Sequence, residues 1–432
     1  MRQARAAFRY PNYRYYMTAR FLTPLASEMQ AVAVAWQVYG LTHRPLDLGL
    51  VGLAQFLPGI FLFLAAGHTA DHVPRLRILQ TCLGAFSLCS LLLLALTMHG
   101  LVSVYPIYAV LLLNGAVRTF NGPAGQAFLP LLVPEEDFPS AVAWSASIFQ
   151  AATIAGPMAG GVLYGLSGSP IPVYASAAIA YLAGLGMVSA IRVRAAERPR
   201  AASVAMVLDG FRYIWRNKLI LGAISLDLFA VLLGGAVALL PVYAREVLKV
   251  GAAGLGILRS APGVGAVAMA IVVAHRPLTR RAGVTMLWCV FGFGLFTVVF
   301  GLSRNLALSL AALALAGACD MVSVIVRQTM IQLATPDEMR GRVSTVNMVF
   351  VGASNEVGQF ESGITAQWFG TVPAVVLGGV GTILVVGLWA RLFPALRRVK
   401  DLSGVTRQST RTREFDANGA NLISTRRRED AE

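Results

Sequence analysis

Seven charged side chains stand inside long apolar segments of this sequence. They are Glu28, Arg118, Asp227, Asp320, Arg327, Glu356 and Glu361. Isolated charges in such segments are costly and rare, so function is their default interpretation. A carboxyl group in apolar surroundings disfavours its charged form, so it can take up a proton near neutral pH and release it to water. These residues are therefore candidates for proton coupling, and the alternative for each is a static charge that pairs two helices.

Spacing limits how these charges can pair. Asp320 and Arg327 are seven positions apart, which places them two turns apart on one helix face and too far for direct contact. Each of them needs a partner elsewhere. Glu28 has Arg20 two turns before it. Among the carboxyl groups, Asp227 and Glu356 are the leading candidates for carrying a proton, followed by Glu28.

Polar and aromatic side chains in the same segments are candidates for lining a cavity. They are Trp36, Gln37, Tyr39, Asn355 and Gln359. Together they offer surfaces that stack against and hydrogen-bond an amphipathic small molecule. Lipid contact or helix packing is the alternative for the aromatic members.

The segments that hold these residues are typical of a membrane protein. Hydrophobic residues make up 56% of the 432 residues and charged residues only 13%, which is too little charge for a soluble surface. Uncharged runs such as 83–97 and 148–166 reach, with their flanks, the roughly 20 residues that a helix needs to cross a bilayer. The apolar segments predict about twelve membrane-spanning helices.

The sequence also repeats itself. Five residues recur 204 positions later and five others recur 202 positions later: Val38, Tyr39, Gly52, Pro58 and Gly59, then Gly115, Gln126, Leu131, Pro134 and Glu136. Two related halves around a basic linker are typical of secondary transporters. The predicted organisation is an N-terminal six-helix half (1–194), a cytoplasmic amphipathic linker (195–217), a C-terminal six-helix half (218–395) and a basic disordered cytoplasmic tail (396–432).

The net charge of +15 is unevenly distributed. Most of the 36 Lys and Arg residues lie in the N-terminal segment, the even-numbered loops and the C-terminal tail. This asymmetry follows the positive-inside rule and predicts two cytoplasmic termini, so nucleic-acid binding is not needed to explain the charge. The four cysteines lack metal or redox spacing and are predicted to be packed thiols. We expect no metal and no cofactor.

The sequence that begins at residue 67, Gly-His-Thr-Ala-Asp-His-Val-Pro-Arg-Leu-Arg, resembles the loop after the second span in the major facilitator superfamily. The matching residues are Gly67, Asp71, Arg75 and Arg77. The resemblance implies close helix approach at the glycine, an inter-helix charge contact at the aspartate, and two arginines at the cytoplasmic face. His72 and Pro74 replace the usual arginine and glycine, which predicts a weaker or pH-sensitive gating contact.

A small-residue stretch in the fifth predicted span, Ala-Gly-Pro-Met-Ala-Gly-Gly at 155–161, resembles the GP-x-x-GG motif that marks antiporting exporters of this superfamily. The matching residues are Gly156, Pro157, Gly160 and Gly161. Such a helix can kink and pack closely enough to seal one side of a cavity. Close packing without a role in direction is the alternative. The sequence from Arg118 also loosely resembles an exporter motif associated with proton transfer.

Further stretches, among them Met-Arg-Gly-Arg-Val at 339–343, resemble the enterobactin-exporter-like branch of multidrug and siderophore exporters, over about residues 9–395. The resemblance implies an all-α membrane protein with twelve helices in two pseudo-symmetric halves. Its expected function is proton-coupled export of an amphipathic small molecule, such as a siderophore or a hydrophobic drug, by alternating access. The resemblance implies a location in the bacterial inner membrane. The expected partners are this cargo, protons and lipid, and we expect a monomer.

Three alternatives remain at this point. An importer or facilitator would share the fold, and a membrane sensor without transport would share the helices. An intramembrane enzyme is the third, but the sequence has no HExxH, no GxSxG and no P-loop, so we expect neither an enzyme nor ATP as the energy source. The acidic residues inside the spans favour transport over a sensor.

Overall fold

The computed structural model describes residues 7–192, 204–276 and 281–399. These ranges fold into helices joined by short turns. The helices are α1 (Pro11–Thr42), α2 (Pro45–His72), α3 (Arg75–Met98), α4 (Tyr105–Phe128), α5 (Phe138–Ser167), α6 (Ile171–Ser189), α7 (Val204–Arg216), α8 (Lys218–Leu233), α9 (Leu240–Val242), α10 (Gly251–His275), α11 (Ala282–Leu302), α12 (Leu306–Ala334), α13 (Asp337–Phe369), α14 (Thr371–Leu392) and α15 (Pro394–Arg398). A wide π turn, Tyr243–Val247, extends α9.

Nine segments of the described chain are long and apolar enough to cross a membrane. They are Pro45–Phe63, Arg75–Met98, Glu135–Ser167, Ile171–Ser189, Lys218–Val247, Gly251–His275, Ala282–Leu302, Leu306–Ala334 and Thr371–Leu392. Three further helices, α1, α4 and α13, have 32, 24 and 33 residues. These three carry Glu28, Arg118 and Glu356. The prediction of an all-helical membrane protein is confirmed, whereas the count of twelve spans stays a prediction.

The helices present two faces, which we name by their residues. The near face carries Asn12, Arg192 and Leu396, and the side-chain amide of Asn12 donates to the carbonyl of Arg192 at 3.0 Å. The far face carries the end of α1 and the start of α14, near Tyr39 and Gly370, because Trp36 and Ala374 belong to one packed apolar cluster. Leu396 lies at the near face because it follows the end of α14. Most long helices therefore run from one face to the other in alternating directions.

Two glycines that the sequence repeat pairs occupy corresponding places in the structure. Gly115 of α4 lies against the carbonyl of Gln55 in α2, and Gly317 of α12 lies against the carbonyl of Pro262 in α10. A side chain at either glycine would overlap that carbonyl, so each close helix approach requires a glycine. Helices α1, α2 and α5 make most of the described contacts between α1–α6 and the helices after α7, principally with α10 and α13.

Residues 204–216 of the predicted linker form α7, and residues 195–203 lie outside the described residues. Helix α7 packs on α13, where Gly210 leaves room for the carbonyl of Arg342. An ion pair joins Asp209 to Arg342 at 3.0 Å, and the Tyr213 hydroxyl donates to the carbonyl of Ala334. The linker helix is therefore attached to the C-terminal helices at the near face. The tail beyond residue 399 also lies outside the described residues.

Candidate functional site

Four charged side chains from four helices meet midway along the bundle. This ionic quartet consists of Glu28 in α1, Arg118 in α4, Arg259 in α10 and Glu356 in α13. The Nε atom of Arg259 lies 3.5 Å from Oε2 of Glu28, and Nη1 of Arg118 lies 3.4 Å from Oε1 of Glu356. Both arginines and Glu28 also act electrostatically on Glu356. Because two positive and two negative groups meet, the quartet is neutral as a whole.

The two ion pairs of the quartet connect the same two groups of helices with opposite polarity. In one pair the acid comes from α1 and the base from α10. In the other pair the base comes from α4 and the acid from α13. Each pair thus joins a helix of α1–α6 to a helix of α8–α14. Any separation of the two groups of helices at this level would break both pairs together.

The Glu356 carboxylate accepts a hydrogen bond within its own helix, and its ion-pair partner Arg118 is more exposed than Glu356. Gln359 donates from Nε2 to Oε2 of Glu356 at 3.3 Å. Gly52 of α2 leaves room for this arrangement, since a Cβ atom there would lie 3.3 Å from Oε2 of Glu356. The Glu356 side chain is 15% exposed and that of Arg118 is 63% exposed. This pair therefore lies where packed helices meet open space.

The small-residue stretch of α5 packs against both helices that supply the pair of Glu28 and Arg259, namely α1 and α10. A Cβ atom on Gly156 would lie 2.6 Å from Cβ of Glu28, and one on Gly160 would lie 2.7 Å from Cα of Met29. Gly161 faces α10 instead, where a Cβ atom would lie 2.6 Å from the carbonyl oxygen of Ala252. Pro157 is buried in this contact and its carbonyl faces Gly256. The stretch therefore joins α5 closely to α1 and to α10.

Two of the predicted cavity residues take part in contacts at the far face. The hydroxyl of Tyr39 donates to Oε1 of Glu246. The guanidinium of Arg245 lies over the ring of Trp36 at 5.5 Å from its centroid, in the geometry of a cation–π contact. These contacts join the end of α1 to the turn between α9 and α10. Trp36 and Tyr39 thus connect the two groups of helices at the far face.

The other three predicted cavity residues have local partners. Gln37 donates to Thr97 at 3.1 Å and accepts from the Tyr174 hydroxyl at 2.7 Å, so it is engaged among α1–α6. Asn355 donates to the carbonyl of Val351 in its own helix. Gln359, in contrast, contacts the quartet through Glu356. A contact of any of these residues with cargo stays a prediction.

A second set of charges, the buried cluster, consists of Asp227 in α8 with Asp320 and Arg327 in α12. Arg327 forms an ion pair with Asp227, and their side chains are only 3% and 7% exposed. Asp227 is thus the partner that Arg327 lacks within its own helix. Asp320 interacts electrostatically with both other members. Because all three residues belong to α8–α14, a separation from α1–α6 would leave this pair intact.

The remaining predicted residues lie apart from both sets of charges. Glu361 accepts a hydrogen bond from Thr365 one turn later in α13 at 2.7 Å. In the loop after α2, Nη1 of Arg75 donates to the carbonyl of Ala127 at 2.6 Å, which ties the start of α3 to the end of α4. Arg77 is exposed, and Gly67 lies in the last two turns of α2. The side chain of Asp71 lies outside the described residues.

Sequence reasoning missed Arg259 as a member of the site. It selected Arg20 as the cation near Glu28 because the two residues share a helix. In the structure, Nε of Arg20 donates to Ser145 at 2.8 Å and its guanidinium lies over the ring of Phe149. The signal that could have identified Arg259 was its own position inside a long apolar run, since an arginine there also needs a partner.

Comparisons with known proteins agree with this architecture. A family profile described as transmembrane secretion effector matches residues 3–420. Enterobactin exporter EntS of Shigella boydii serotype 4 (strain Sb227) is 26% identical over 397 residues, which are 90% of this chain and 94% of that protein.

Solved structures of transporters share the fold. Nucleoside transporter NupG superposes with a TM-score of 0.70 at 13% identity and covers 88% of this chain and 99% of its own. A bacterial homolog of the human lysosomal transporter Spinster, in an inward-facing and occupied conformation, has a TM-score of 0.67 at 12% identity and covers 92% and 97%. At these identities the likeness concerns the fold alone.

Proposed function

The chain belongs to the transmembrane secretion effector family of the major facilitator superfamily, and we propose that this multi-pass membrane transporter exports an amphipathic small molecule in exchange for protons. The ionic quartet is the observation that carries this proposal. The cargo we propose is a siderophore or a hydrophobic drug, and the likeness to an enterobactin exporter favours the siderophore. The comparisons point to transporters and to no enzyme family.

The proposed architecture has twelve spans in two halves, one before and one after α7. In it, α1, α4 and α13 cross the membrane as well, because they have the required length and their central charges face one another at the quartet. Corresponding glycines at the contacts of α2 with α4 and of α10 with α12 support two related halves. The near face is proposed to lie in the cytoplasm of the bacterial inner membrane, as the charge distribution predicts.

The contacts between the two halves support an assignment of the conformation. They include the pair of Tyr39 with Glu246 at the far face and the close packing of Gly161 on Ala252 near it. At mid-depth they include the two ion pairs of the quartet. We assign this arrangement to the state that is closed toward the periplasm, and alternating access then requires that these contacts separate.

The quartet provides a route from this motion to proton transfer. When the halves separate at the far face, Glu28 loses Arg259 and Glu356 loses Arg118. A carboxylate without its cation, in partly apolar surroundings, binds a proton more readily. When the halves close again, each returning arginine favours the charged carboxylate and expels the proton. Each carboxyl group therefore binds a proton in the state that is open toward the periplasm and releases it in the state in which it is paired with its arginine. Protons move inward in each cycle, and the same change of state moves cargo outward.

This proposal revises the order of the carrier candidates. Asp227 and Glu356 led together on sequence grounds, but Arg327, the partner of Asp227, belongs to the same half, so rigid movement of the halves does not expose Asp227. Glu356 and Glu28 are the proposed carriers. Asp320 comes after them, since it lies beside the pair of Asp227 and Arg327 and has no connection across the halves in the described contacts.

Accumulation of cargo in inside-out membrane vesicles tests the proposal. Vesicles with an acidic lumen are supplied with enterobactin or a lipophilic cationic dye, for the wild type, Glu356→Gln and Glu28→Gln. Glu361→Gln is the matched control, because Glu361 lies in the same helix and bonds within it. We expect the wild type and the control to accumulate cargo until a protonophore is added. Each quartet variant should lose gradient-driven accumulation by more than about tenfold.

Other outcomes would decide between the alternatives. Accumulation by the wild type that ignores the pH gradient would contradict proton coupling and favour a facilitator. Uptake that proceeds uphill only in right-side-out vesicles would indicate an importer of the same fold. If Asp227→Asn loses the gradient dependence while both quartet variants keep it, the buried cluster carries the proton instead.

A further inference from the structure

An apolar groove runs along the outer surface between α11 and α14, and none of its lining residues belongs to the ionic quartet or to the buried cluster. Its α11 wall includes Val284, Trp288 and Phe291, and its α14 wall includes Val386 and Ala390. The groove encloses about 270 Å³. Because α11 begins at Ala282 and α14 ends at Leu392, these residues place the groove at the near face. It extends about 10 Å from there toward the middle of the bundle, at 1.5 Å per helical residue.

The lining of the groove changes from apolar to charged at its mouth. Arg397 of α15 is the one charged residue among those that line the groove in the described chain. Trp288, in the α11 wall of the same groove, is 67% exposed, and tryptophan is enriched at the depth of the lipid headgroups. An apolar channel with a cation at the membrane surface matches a phospholipid, whose acyl chain is apolar and whose phosphate is negative.

The position of Arg397 is set by the packing of the residue before it. Its neighbour Leu396 is fully buried, and the Leu396 carbonyl lies against Gly283 in the first turn of α11. The Leu396 side chain reaches α8, where a Cβ atom on Gly222 would lie 3.1 Å from it. Two glycines therefore let α15 pack between α8 and α11. The next residue, Arg398, is also exposed but is not part of the groove lining.

We propose that this groove binds one anionic phospholipid of the near-face leaflet, with an acyl chain along α11 and α14 and the phosphate at Arg397. The site depends on the chain lying in a membrane, and it does not depend on proton coupling or on the direction of transport. Charge selects the occupant, since a lipid with a net negative headgroup gains the contact with Arg397 without an opposing positive group of its own.

Quenching of Trp288 fluorescence by brominated lipids tests this site. The full chain is reconstituted in nanodiscs that contain increasing fractions of brominated phosphatidylglycerol or brominated phosphatidylcholine. Subtracting the signal of Trp288→Phe isolates the groove from the other tryptophans. We expect half-maximal quenching at an about fivefold lower fraction of the anionic lipid, which is the effect of one arginine near an anionic headgroup.

Neighbouring arginines supply the controls. Arg397→Gln should remove the preference for the anionic lipid, whereas Arg397→Lys and Arg398→Gln should keep it. Equal quenching of the wild type by the two lipids would overturn the proposal. It would also fail if Arg397→Gln kept the preference, or if Arg398→Gln lost it to the same extent, because the attraction would then come from diffuse surface charge.

Discussion

The ionic quartet and the buried cluster hold similar charges in opposite environments. The quartet connects α1–α6 to α8–α14, and the side chains of Arg259 and Glu28 are 25% and 28% exposed. The cluster joins α8 to α12 within one group of helices, and both members of its ion pair are almost fully buried. The same chemical groups are thus partly exposed at the junction between helix groups and almost fully buried inside one group.

This difference indicates which pair can move. Breaking a partly hydrated ion pair costs little, because water replaces the lost partner. Breaking a dry pair leaves an uncompensated charge in a medium that cannot solvate it. A transporter that alternates between two states must break some contacts in every cycle. The quartet is suited to that role, and the buried cluster is suited to keeping α8 and α12 together.

The largest expected effect is the loss of one member of the buried pair. Arg327→Met leaves the Asp227 carboxylate buried without a cation, so we expect a loss of about 3–5 kcal/mol in the free energy of unfolding. Thermal unfolding of the purified protein in detergent measures this loss. The double variant Asp227→Leu with Arg327→Met replaces both charges with apolar groups and should recover most of it, with gradient-driven efflux retained. A folded but inactive double variant would show that the cluster takes part in transport.

An intermediate effect is expected where α5 packs on Glu28. Gly156→Ala adds a methyl group 2.6 Å from Cβ of Glu28 and 2.9 Å from the carbonyl oxygen of Leu25, so α5 and α1 must move apart. We expect a loss of about 1–3 kcal/mol in stability and a clear loss of efflux, because Glu28 shifts relative to Arg259. The control is Gly186→Ala in α6, where a Cβ atom meets nothing within 4 Å. Equal behaviour of the two variants in thermal unfolding and efflux would contradict the packing argument.

Much of the fold could be predicted from the sequence, because its signals are local. Apolar runs, charges within them and the linker helix that begins at Val204 depend on composition and on periodicity along one helix. The repeat located corresponding positions, such as Gly115 and Gly317, that later proved to make corresponding helix contacts.

The site could be predicted only in part, because its pairs join distant parts of the chain. Arg259 lies 231 positions after Glu28, and no spacing rule within one helix relates them. Their contact depends on the rotation of α1 and α10 about their axes, which close packing on α5 fixes. For the same reason, sequence could identify Trp36 and Tyr39 as functional candidates without distinguishing a cavity wall from a contact that closes the far face.

The smallest effect on stability, together with a large effect on efflux driven by the pH gradient, is expected for the pair of Glu28 and Arg259. A double-mutant cycle with Glu28→Gln, Arg259→Gln and both together should give a coupling free energy below about 1 kcal/mol in thermal unfolding, because both side chains of the pair are partly exposed. Efflux driven by the pH gradient should nevertheless fall more than about tenfold in Glu28→Gln, since an amide does not bind and release a proton. A coupling free energy as large as the loss expected for Arg327→Met would place this pair in the same class as the buried pair. The halves could then not separate easily at this level, and the physical reason for assigning the moving contact to the quartet would be lost.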